Sequence, residues 1–321
     1  MIQRTQNEIM FNWDVKNTDN PLVSIRSICF NQEKYIEKCL DGFLMQKTNF
    51  PFEVIIHDDA STDGTIDIIK CYQERYPLII KPIFEEENQH SKGTPFAKLI
   101  NPYLKGKYIA RCEGDDCWTD ENKLQMQVDF LESHANYTAC AHNTLSIDAQ
   151  GNQSLTAMFP EIDTDVSLED ALMNRAYHTS SIVSRREYDF EQPEFMHKTP
   201  GVGDLPLAIY LTLSGKVFRF GKVMSHYNSG TAGSWTERVY NNPSKLLKHI
   251  ENSIVMNSAA NDYSNHRFET VFQHKNLYLN FLKAKILKDY HETTKPEYKE
   301  FFNAMPLKRR IKFKLLSWFK N

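Results

Sequence analysis

The first third of the chain alternates short apolar runs with amphipathic segments, and this order allows few folds. Apolar runs at 22–28, 52–57, 78–80 and 108–110 predict buried strands. The segments between them carry apolar residues at helical spacing, which predicts a helix after each of the first three strands. Strands that alternate with helices form a parallel sheet covered by helices on both faces, and ligands bind at the carboxyl ends of its strands. The sequence therefore predicts an α/β fold with a site at that edge.

Two acidic clusters follow predicted strands. Asp58–Asp59 ends the second strand, and Glu113, Asp115 and Asp116 follow the fourth. Gly114 lets the backbone turn so that the neighbouring carboxylates can converge. Carboxylates at a buried strand end are costly unless a cation neutralises them, and such oxygens suit Mg²⁺ or Mn²⁺ shared with substrate phosphates. The alternatives are a solvated acidic turn at the second cluster and a helix cap at the first.

Composition excludes several classes of protein. The 321 residues are 41% hydrophobic and 25% charged with a formal net charge of −3, which gives no case for a nucleic-acid partner. We expect neither a membrane-spanning segment nor a classical secretion signal, because no run of about 18 apolar residues and no apolar leader occurs. Six cysteines without CxxC spacing favour reduced thiols over a zinc site or disulfides. These features predict a cytoplasmic protein.

The later part of the chain follows a different pattern. Asp204 precedes an apolar helix that ends at Gly215, and residues 243–290 predict two long helices. We therefore divide the chain into an α/β domain, residues 21–235, and a helical C-terminal region, residues 236–321.

The C-terminal segment 307–320 is basic and amphipathic. Helical spacing places on one face Ile311, Leu315, Trp318 and Phe319, and the segment carries six basic residues and no acidic one. An apolar stripe beside lysine and arginine is typical of a helix that lies on an anionic membrane. This predicts peripheral contact at the inner face of the cell membrane. The alternative is a terminal helix docked on the protein's own core.

Several segments together resemble family 2 glycosyltransferases. The strand–helix opening at 23–31 is similar to the family's first motif, and residues 58–65 (D-D-A-S-T-D-G-T) closely resemble its second. Residues 105–118, which end in E-G-D-D-C-W, are similar to the metal-binding segment. Residues 203–204 stand where the family has its acidic catalytic pair. The resemblance covers roughly residues 21–235.

The resemblance implies a fold and an activity. The fold is of the GT-A type, a Rossmann-like, mostly parallel sheet flanked by helices, here with a helical C-terminal extension. The activity is transfer of a sugar from a nucleoside diphosphate sugar, with inversion at the anomeric carbon and with Mn²⁺ or Mg²⁺ as cofactor. A UDP-sugar is the expected donor because it is the commonest in the family. The expected acceptor is a glycan or polyprenyl-linked hydroxyl in bacterial capsule or O-antigen synthesis.

The resemblance also implies roles for individual residues. The implied nucleotide contacts are Phe30, Asn31, Asp58, Asp59, Glu113 and Gly114. The implied metal ligands are Asp115, Glu113 and Asp116, and Asp204 is the implied general base. Aromatic and polar groups that could contact donor or acceptor sugar are His178, Trp118, Tyr227 and Trp235, with structural packing as the alternative.

The sequence departs from the family pattern at five positions. Ile28 replaces a proline, Phe30 a tyrosine, and Glu113 the first aspartate of D-x-D. Gly203 replaces the glutamate before the catalytic aspartate, and Asn228 an arginine. The alternative functions are a retaining or phosphosugar-transferring relative, a catalytically silent nucleotide-binding scaffold, and a membrane-surface adaptor. The retained carboxylates favour an enzyme over the last two.

Overall fold

The computed structural model describes residues 4–13, 20–148, 150–173, 175–229, 239 and 241–318. It divides the chain into two units, residues 1–192 with 210–231 and residues 193–209 with 232–321. The domain boundary that the sequence predicts, at residue 235, lies outside the described residues. The sequence assigns residues 193–209 to the α/β domain, whereas the structure groups them with the C-terminal region.

The first unit is built on one mixed sheet. Its strands are β1 (Val23–Cys29), β2 (Phe52–Asp58), β3 (Ile80–Phe84), β4 (Tyr108–Arg111), β5 (Cys117–Trp118), β6 (Tyr137–Ile147), β7 (Thr164–Val166), β8 (Val183–Arg185) and β9 (Lys216–Asn228). The strand order is β3-β2-β1-β4-β8-β6-β9-β5, with β7 paired to β9. The strands β3, β2, β1 and β4 are parallel, β8 joins them antiparallel, and β6 and β9 are again parallel. This confirms the predicted α/β fold and its mostly parallel sheet.

Helices follow the strands and form most of the second unit. The α-helices in the described ranges are α1 (Gln6–Ile9), α2 (Ile36–Leu44), α3 (Thr65–Arg75), α4 (Phe96–Ile100), α5 (Lys123–Ser133), α6 (Leu168–Leu172), α7 (Glu187–Phe190), α8 (Asp204–Ser214), α9 (Pro243–Tyr263), α10 (Glu269–Leu287), α11 (Tyr290–Thr293), α12 (Lys299–Ala304) and α13 (Leu307–Trp318). Helices α9 and α10 are the two long helices that the sequence predicts. None of the helices described is long and apolar enough to cross a membrane.

The parallel strands bury both of their faces. Side chains alternate along a strand, so Val54 and Ile56 of β2 join one apolar core with Ile36 of α2. Ile55, between them, joins a separate core with Ile100 on the opposite face. The helices therefore cover both faces, as the strand–helix alternation predicts.

The strand β9 differs from its prediction. The sequence predicts a short strand at 217–220 followed by a separate segment at 223–227, whereas the structure has one continuous strand, Lys216–Asn228. A Cβ at Gly221 would lie within 2.4 Å of the backbone carbon of Glu161. The glycine thus marks a close approach of two backbones rather than a break in the strand.

A buried ion pair joins β4 to α7. Arg111 donates through Nη2 to Asp189 Oδ1 at 2.5 Å and through Nη1 to Ser184 Oγ at 2.9 Å. Arg26, next to Arg111 in the sheet, lies 3.8 Å from the same carboxylate oxygen. Burial and the nearby Arg111 charge lower the pKa of Arg26 to about 10. One buried carboxylate therefore compensates two guanidinium groups.

We expect Asp189→Ala to lower the free energy of unfolding by about 3–5 kcal/mol, because it leaves buried cations without their counter-ion. Urea denaturation followed by circular dichroism measures the change. The control is Glu121→Ala, which breaks an exposed pair with Lys47 (2.7 Å) and should cost no more than about 1 kcal/mol. Equal losses in the two variants would contradict the structural role of Asp189.

Candidate active site

Three loops meet at one edge of the sheet. The strands β1, β2 and β4 are adjacent and parallel, with Cys29 in register with Asp58 and Arg26 with Arg111. The chain therefore leaves all three strands in the same direction. Most of the site residues that the sequence predicts in the first unit lie in or beside these loops.

The loops after β1 and β2 are joined by hydrogen bonds. Asn31 has a left-handed backbone (φ 53°), and its N–H donates to Ser61 Oγ at 2.8 Å. Its side-chain Oδ1 accepts from the N–H of Thr62 at 2.8 Å. The sequence predicts Asn31 as the cap of α2, and this is wrong because α2 begins only at Ile36. Phe30, beside Asn31, is 45% exposed at the site edge.

The two aspartates that follow β2 are buried and bound by different partners. Asp58 accepts from Ser61 N–H at 2.8 Å and Ser61 Oγ at 2.6 Å, so it fixes its own loop. Asp59 accepts from the backbone N–H of Gln89 at 2.6 Å and of His90 at 3.1 Å, one on each oxygen. Each carboxylate oxygen has a second lone pair, so Asp59 can accept a further hydrogen bond.

The three carboxylates of the acidic turn after β4 differ in how exposed they are. Gly114 is buried and donates its N–H to Ile28 O at 2.9 Å, and Asp116 N–H closes the turn on Glu113 O at 3.0 Å. Glu113 is exposed, Asp115 is partly exposed, and Asp116 is 2% exposed. Glu113 and Asp115 are therefore the carboxylates of this turn that a ligand can reach.

Asp116 points inward and is held by the end of β9. Its Oδ1 accepts from Asn228 N–H at 3.1 Å, and the Asn228 side-chain amide donates to Asp115 O. Burial, together with the charges of Asp115 and Glu113, raises the pKa of Asp116 well above its usual range. This placement indicates that Asp116 holds the turn, and it argues against the metal-ligand role that the resemblance implies. The sequence names Asn228 only as a departure from the family, and its contacts to the turn are not foreseeable from residue type.

His178 and Tyr227 lie together beside the acidic turn. Their ring centroids are 4.4 Å apart, and His178 Nδ1 is 3.6 Å from Asp116 Oδ2. Burial lowers the pKa of His178 to about 4. Because the N–H of Ser180 donates to Nδ1, the neutral ring carries its proton on Nε2. Both side chains are partly exposed, so both remain candidates for sugar contact.

Trp118 lies in the core. Only 2% of it is exposed, and its Nε1–H donates to Ser180 O at 2.7 Å. Lys123 Nζ, fully buried, lies 3.8 Å from the Trp118 ring centroid, and burial lowers the pKa of Lys123 to about 7. This burial argues against a sugar contact by Trp118 and favours the packing alternative. Trp235 lies outside the described residues.

Asp204 belongs to the second unit. It is exposed in the first turn of α8, and its Oδ1 accepts from the N–H of Leu205 at 2.8 Å. The predicted apolar helix that ends at Gly215 is confirmed, and Asp204 is its first residue rather than the residue before it.

In the parts of the chain described, no three His, Cys, Asp or Glu side chains are arranged to hold a metal ion by themselves. Glu113 and Asp115 nevertheless supply the hard oxygen ligands that Mg²⁺ and Mn²⁺ prefer. The residues present therefore fit a divalent ion only if further ligands come from a bound molecule.

The family model "Glycosyl transferase family 2" matches residues 24–192, more than half of the chain. The chain belongs to this family. The matched residues are therefore a glycosyltransferase domain of this family, as the sequence predicts.

Several curated relatives are similar in sequence to this chain. A Mycobacterium tuberculosis protein named only as uncharacterized is 37% identical over 219 residues, 66% of this chain and 60% of that protein. The E. coli enzyme UDP-Glc:alpha-D-GlcNAc-diphosphoundecaprenol beta-1,3-glucosyltransferase is 34% identical over 123 residues, 36% of this chain and 46% of that enzyme. Relatives in Bacillus are named for teichuronic acid biosynthesis and poly(ribitol-phosphate) glucosylation. This glycosyltransferase thus has homologues in bacterial cell-surface polysaccharide synthesis, and it spans only part of the length of these relatives.

Two solved structures share the fold of this family 2 member. Staphylococcus aureus TarS 1–349 in complex with UDP-GlcNAc has a TM-score of 0.55 at 18% identity, over 91% of this chain and 78% of that one. Mannosyltransferase PcManGT from Pyrobaculum calidifontis, in complex with GDP-Man and Mn²⁺, has a TM-score of 0.52 at 15% identity, over 93% and 83%. This likeness confirms the predicted GT-A type fold.

We expect Gly114→Ala to lower the free energy of unfolding by about 1–3 kcal/mol, because the close packing beneath the turn leaves no room for a methyl group. An added Cβ would lie 2.8 Å from Cys29 Cβ and 3.0 Å from Ile36 Cδ1. Urea denaturation measures the loss. The control is Gly203→Ala, where a Cβ meets nothing within 4 Å and the cost should stay below about 1 kcal/mol. A Gly114→Ala protein as stable as the parent would contradict the packing described.

Proposed function

We propose that this glycosyltransferase is an inverting, metal-dependent enzyme that moves a sugar from a UDP-sugar to a hydroxyl of a glycan or polyprenyl-linked acceptor. Its product would be part of a bacterial surface polysaccharide such as a capsule or O-antigen. The observation that carries the proposal is the meeting of three loops at one sheet edge, where Glu113 and Asp115 are the carboxylates of the acidic turn that a ligand can reach. The names of the relatives support it, since one uses UDP-Glc and a diphosphoundecaprenol-linked acceptor.

The nucleotide would bind at the loops after β1 and β2. Phe30 offers an exposed aromatic face for the base. Asp59 is 1% exposed and bound by residues 89–90, so it would contact the base or ribose only after that segment moves away from its carboxylate. Asn31 acts mainly by joining the two loops, and Asp58 acts mainly by shaping the loop after β2. TarS, which shares the fold, binds UDP-GlcNAc in its crystal structure, and this supports a uridine nucleotide here.

Glu113 and Asp115 would hold Mn²⁺ or Mg²⁺ against the diphosphate, whose oxygens supply the missing ligands. When bound, a divalent ion neutralises charge that develops on the diphosphate leaving group. Asp116, hydrogen-bonded to Asn228, would keep the turn in shape rather than bind the ion. The Mn²⁺ in the PcManGT complex supports this assignment.

Asp204 would accept the proton of the acceptor hydroxyl. A base of this kind acts by its position, because the developing oxocarbenium charge on the donor sugar attracts the nucleophile. General bases contribute about 10²–10⁴-fold in rate. His178 and Tyr227 would line the sugar site, with the Nε2–H of the neutral histidine available as a hydrogen-bond donor. Trp235 stays a further candidate for the same role.

The second candidate is a nucleotide-binding protein without catalysis on the same fold. Retention of reachable carboxylates in the turn favours the enzyme. A donor-hydrolysis assay with UDP-sugars and Mn²⁺ separates the two, because a silent scaffold binds UDP but releases none from the donor. We propose that the enzyme acts in the cytoplasm, at the inner face of the cell membrane, where a polyprenyl-linked acceptor would lie.

We expect Asp115→Asn to weaken Mn²⁺-dependent UDP binding and to lower transfer by orders of magnitude with the fold intact, because it removes an anionic ligand. Isothermal titration with UDP, with and without Mn²⁺, measures the effect. The control is Asp67→Asn, an exposed carboxylate on α3, which should bind as the parent does. Unchanged metal-dependent affinity in Asp115→Asn would rule out this ligand.

We expect Asp204→Asn to keep donor binding but to lose about 10²–10⁴-fold in the rate of transfer, since a base acts on the acceptor only. Titration with UDP and a transfer assay with a hydroxyl acceptor separate the two effects. A transfer rate near that of the parent would place the base elsewhere. The next acidic residues to test, Asp163 and Asp165, are less suited because they bind the Gly221 N–H and the Lys216 ammonium.

A further inference from the structure

The C-terminal helix α13 exposes a line of apolar side chains. Leu307, Ile311 and Leu315 are 64%, 52% and 51% exposed. They follow one another at four-residue spacing, so they lie along one face of the helix. Single exposed apolar residues are ordinary on a protein surface, but three aligned on one helix form a stripe. We call these three residues the α13 stripe.

A different face of α13 docks on its own unit. Phe313 packs against the apolar cluster of Phe281, Tyr298, Phe302 and Met305. Its ring centroid also lies 4.9 Å from that of Tyr290 in an edge-on contact. The sequence poses docking on the core and membrane contact as alternatives, whereas the structure shows a docked helix that still leaves an apolar stripe uncovered. Because docking fixes the helix, the stripe is presented on a folded support.

Lysines border the α13 stripe on both sides. At 100° per residue, Lys308 and Lys312 lie along one edge of the stripe and Lys314 lies along the other. All three are exposed. The helix Leu307–Trp318 contains no acidic residue, although the whole chain carries a net charge of −3. The local charge is thus complementary to an anionic surface.

We propose that the α13 stripe binds the surface of an anionic lipid bilayer. The three apolar side chains would enter the boundary between headgroups and acyl chains, and the bordering lysines would contact lipid phosphates. The 12 residues of α13 are about 18 Å long as a helix, too short to cross a hydrocarbon core of about 30 Å. The contact is therefore peripheral and reversible. It is independent of donor chemistry, so it does not rest on the transfer reaction proposed above.

The test is co-sedimentation of the full chain with vesicles of phosphatidylcholine and phosphatidylglycerol at low salt. We expect binding to these vesicles, and little binding to vesicles of phosphatidylcholine alone or at high salt. Lys308→Gln with Lys312→Gln should lower the partition coefficient roughly 30-fold, at about 1 kcal/mol per basic residue. The matched control, Lys245→Gln with Lys248→Gln, removes two exposed charges from α9 and should have little effect.

A second pair of variants tests the apolar part of the contact. Ile311→Ser with Leu315→Ser should abolish sedimentation with the anionic vesicles and leave circular dichroism and thermal unfolding unchanged. The control is Leu78→Ser with Val255→Ser, which removes apolar side chains that are 58% and 54% exposed elsewhere and should sediment as the parent does. Equal loss in the control would overturn the proposal.

Two further outcomes would also overturn the proposal. The first is failure of the full chain to sediment with anionic vesicles at low salt. The second is self-association in analytical ultracentrifugation that the Ile311→Ser and Leu315→Ser variant abolishes, without vesicle binding in the parent. That result would assign the α13 stripe to a second copy of the chain. Donor hydrolysis in solution, measured on the same variants, reports separately on the proposed reaction.

Discussion

The candidate site depends on the parallel pairing of β1 with β2 and β4. This pairing makes the chain leave three strands at one edge, where Asn31, Asp58 and Gly114 lie in adjacent loops. The loops after β1 and β2 bind each other through Asn31 and Ser61, and the acidic turn binds the end of β1 through Gly114 and Ile28. A change in the order of these strands would separate the acidic clusters, whatever their sequence.

Carboxylates that look alike in the sequence have different roles because they differ in burial. Asp58 and Asp116 face inward and accept backbone hydrogen bonds, so they shape the loops that carry them. Glu113 and Asp115 reach the surface of the same turn. Burial also determines the role of Asp189, because the buried Arg111 guanidinium on β4 needs a partner of opposite charge. The acidic turn thus contains both a carboxylate that maintains its structure and carboxylates that a ligand can reach.

The sequence predicts most of the strands and the long helices well, because their apolar periods reflect burial directly. The third strand is misplaced, since the predicted run 78–80 overlaps β3 only at Ile80. Both acidic clusters, the Asp204 helix and the strand-end site follow from the same reasoning. This reasoning does not reveal which residues distant in the sequence contact each other. Residue type favours Asn31 as a helix cap and Trp118 as a sugar contact, yet both bind distant residues. Asn31 Oδ1 accepts from Thr62 N–H, and Trp118 Nε1–H donates to Ser180 O. The role of Gly221 is ambiguous for the same reason, because glycine is found both where a strand ends and where two backbones approach closely.

The position of β9 in the sheet has a consequence for the order of folding. β9 lies between β6 and β5, and its last residue, Asn228, binds a turn that is 113 positions earlier in the chain. The four parallel strands are complete by Arg111, so they can pair on a nascent chain before β9 has left the ribosome. The acidic turn gains its Asn228 contacts only afterwards, through a non-local strand insertion of the kind that forms late and slowly. The parallel half of the sheet would therefore assemble before the acidic turn takes its final shape.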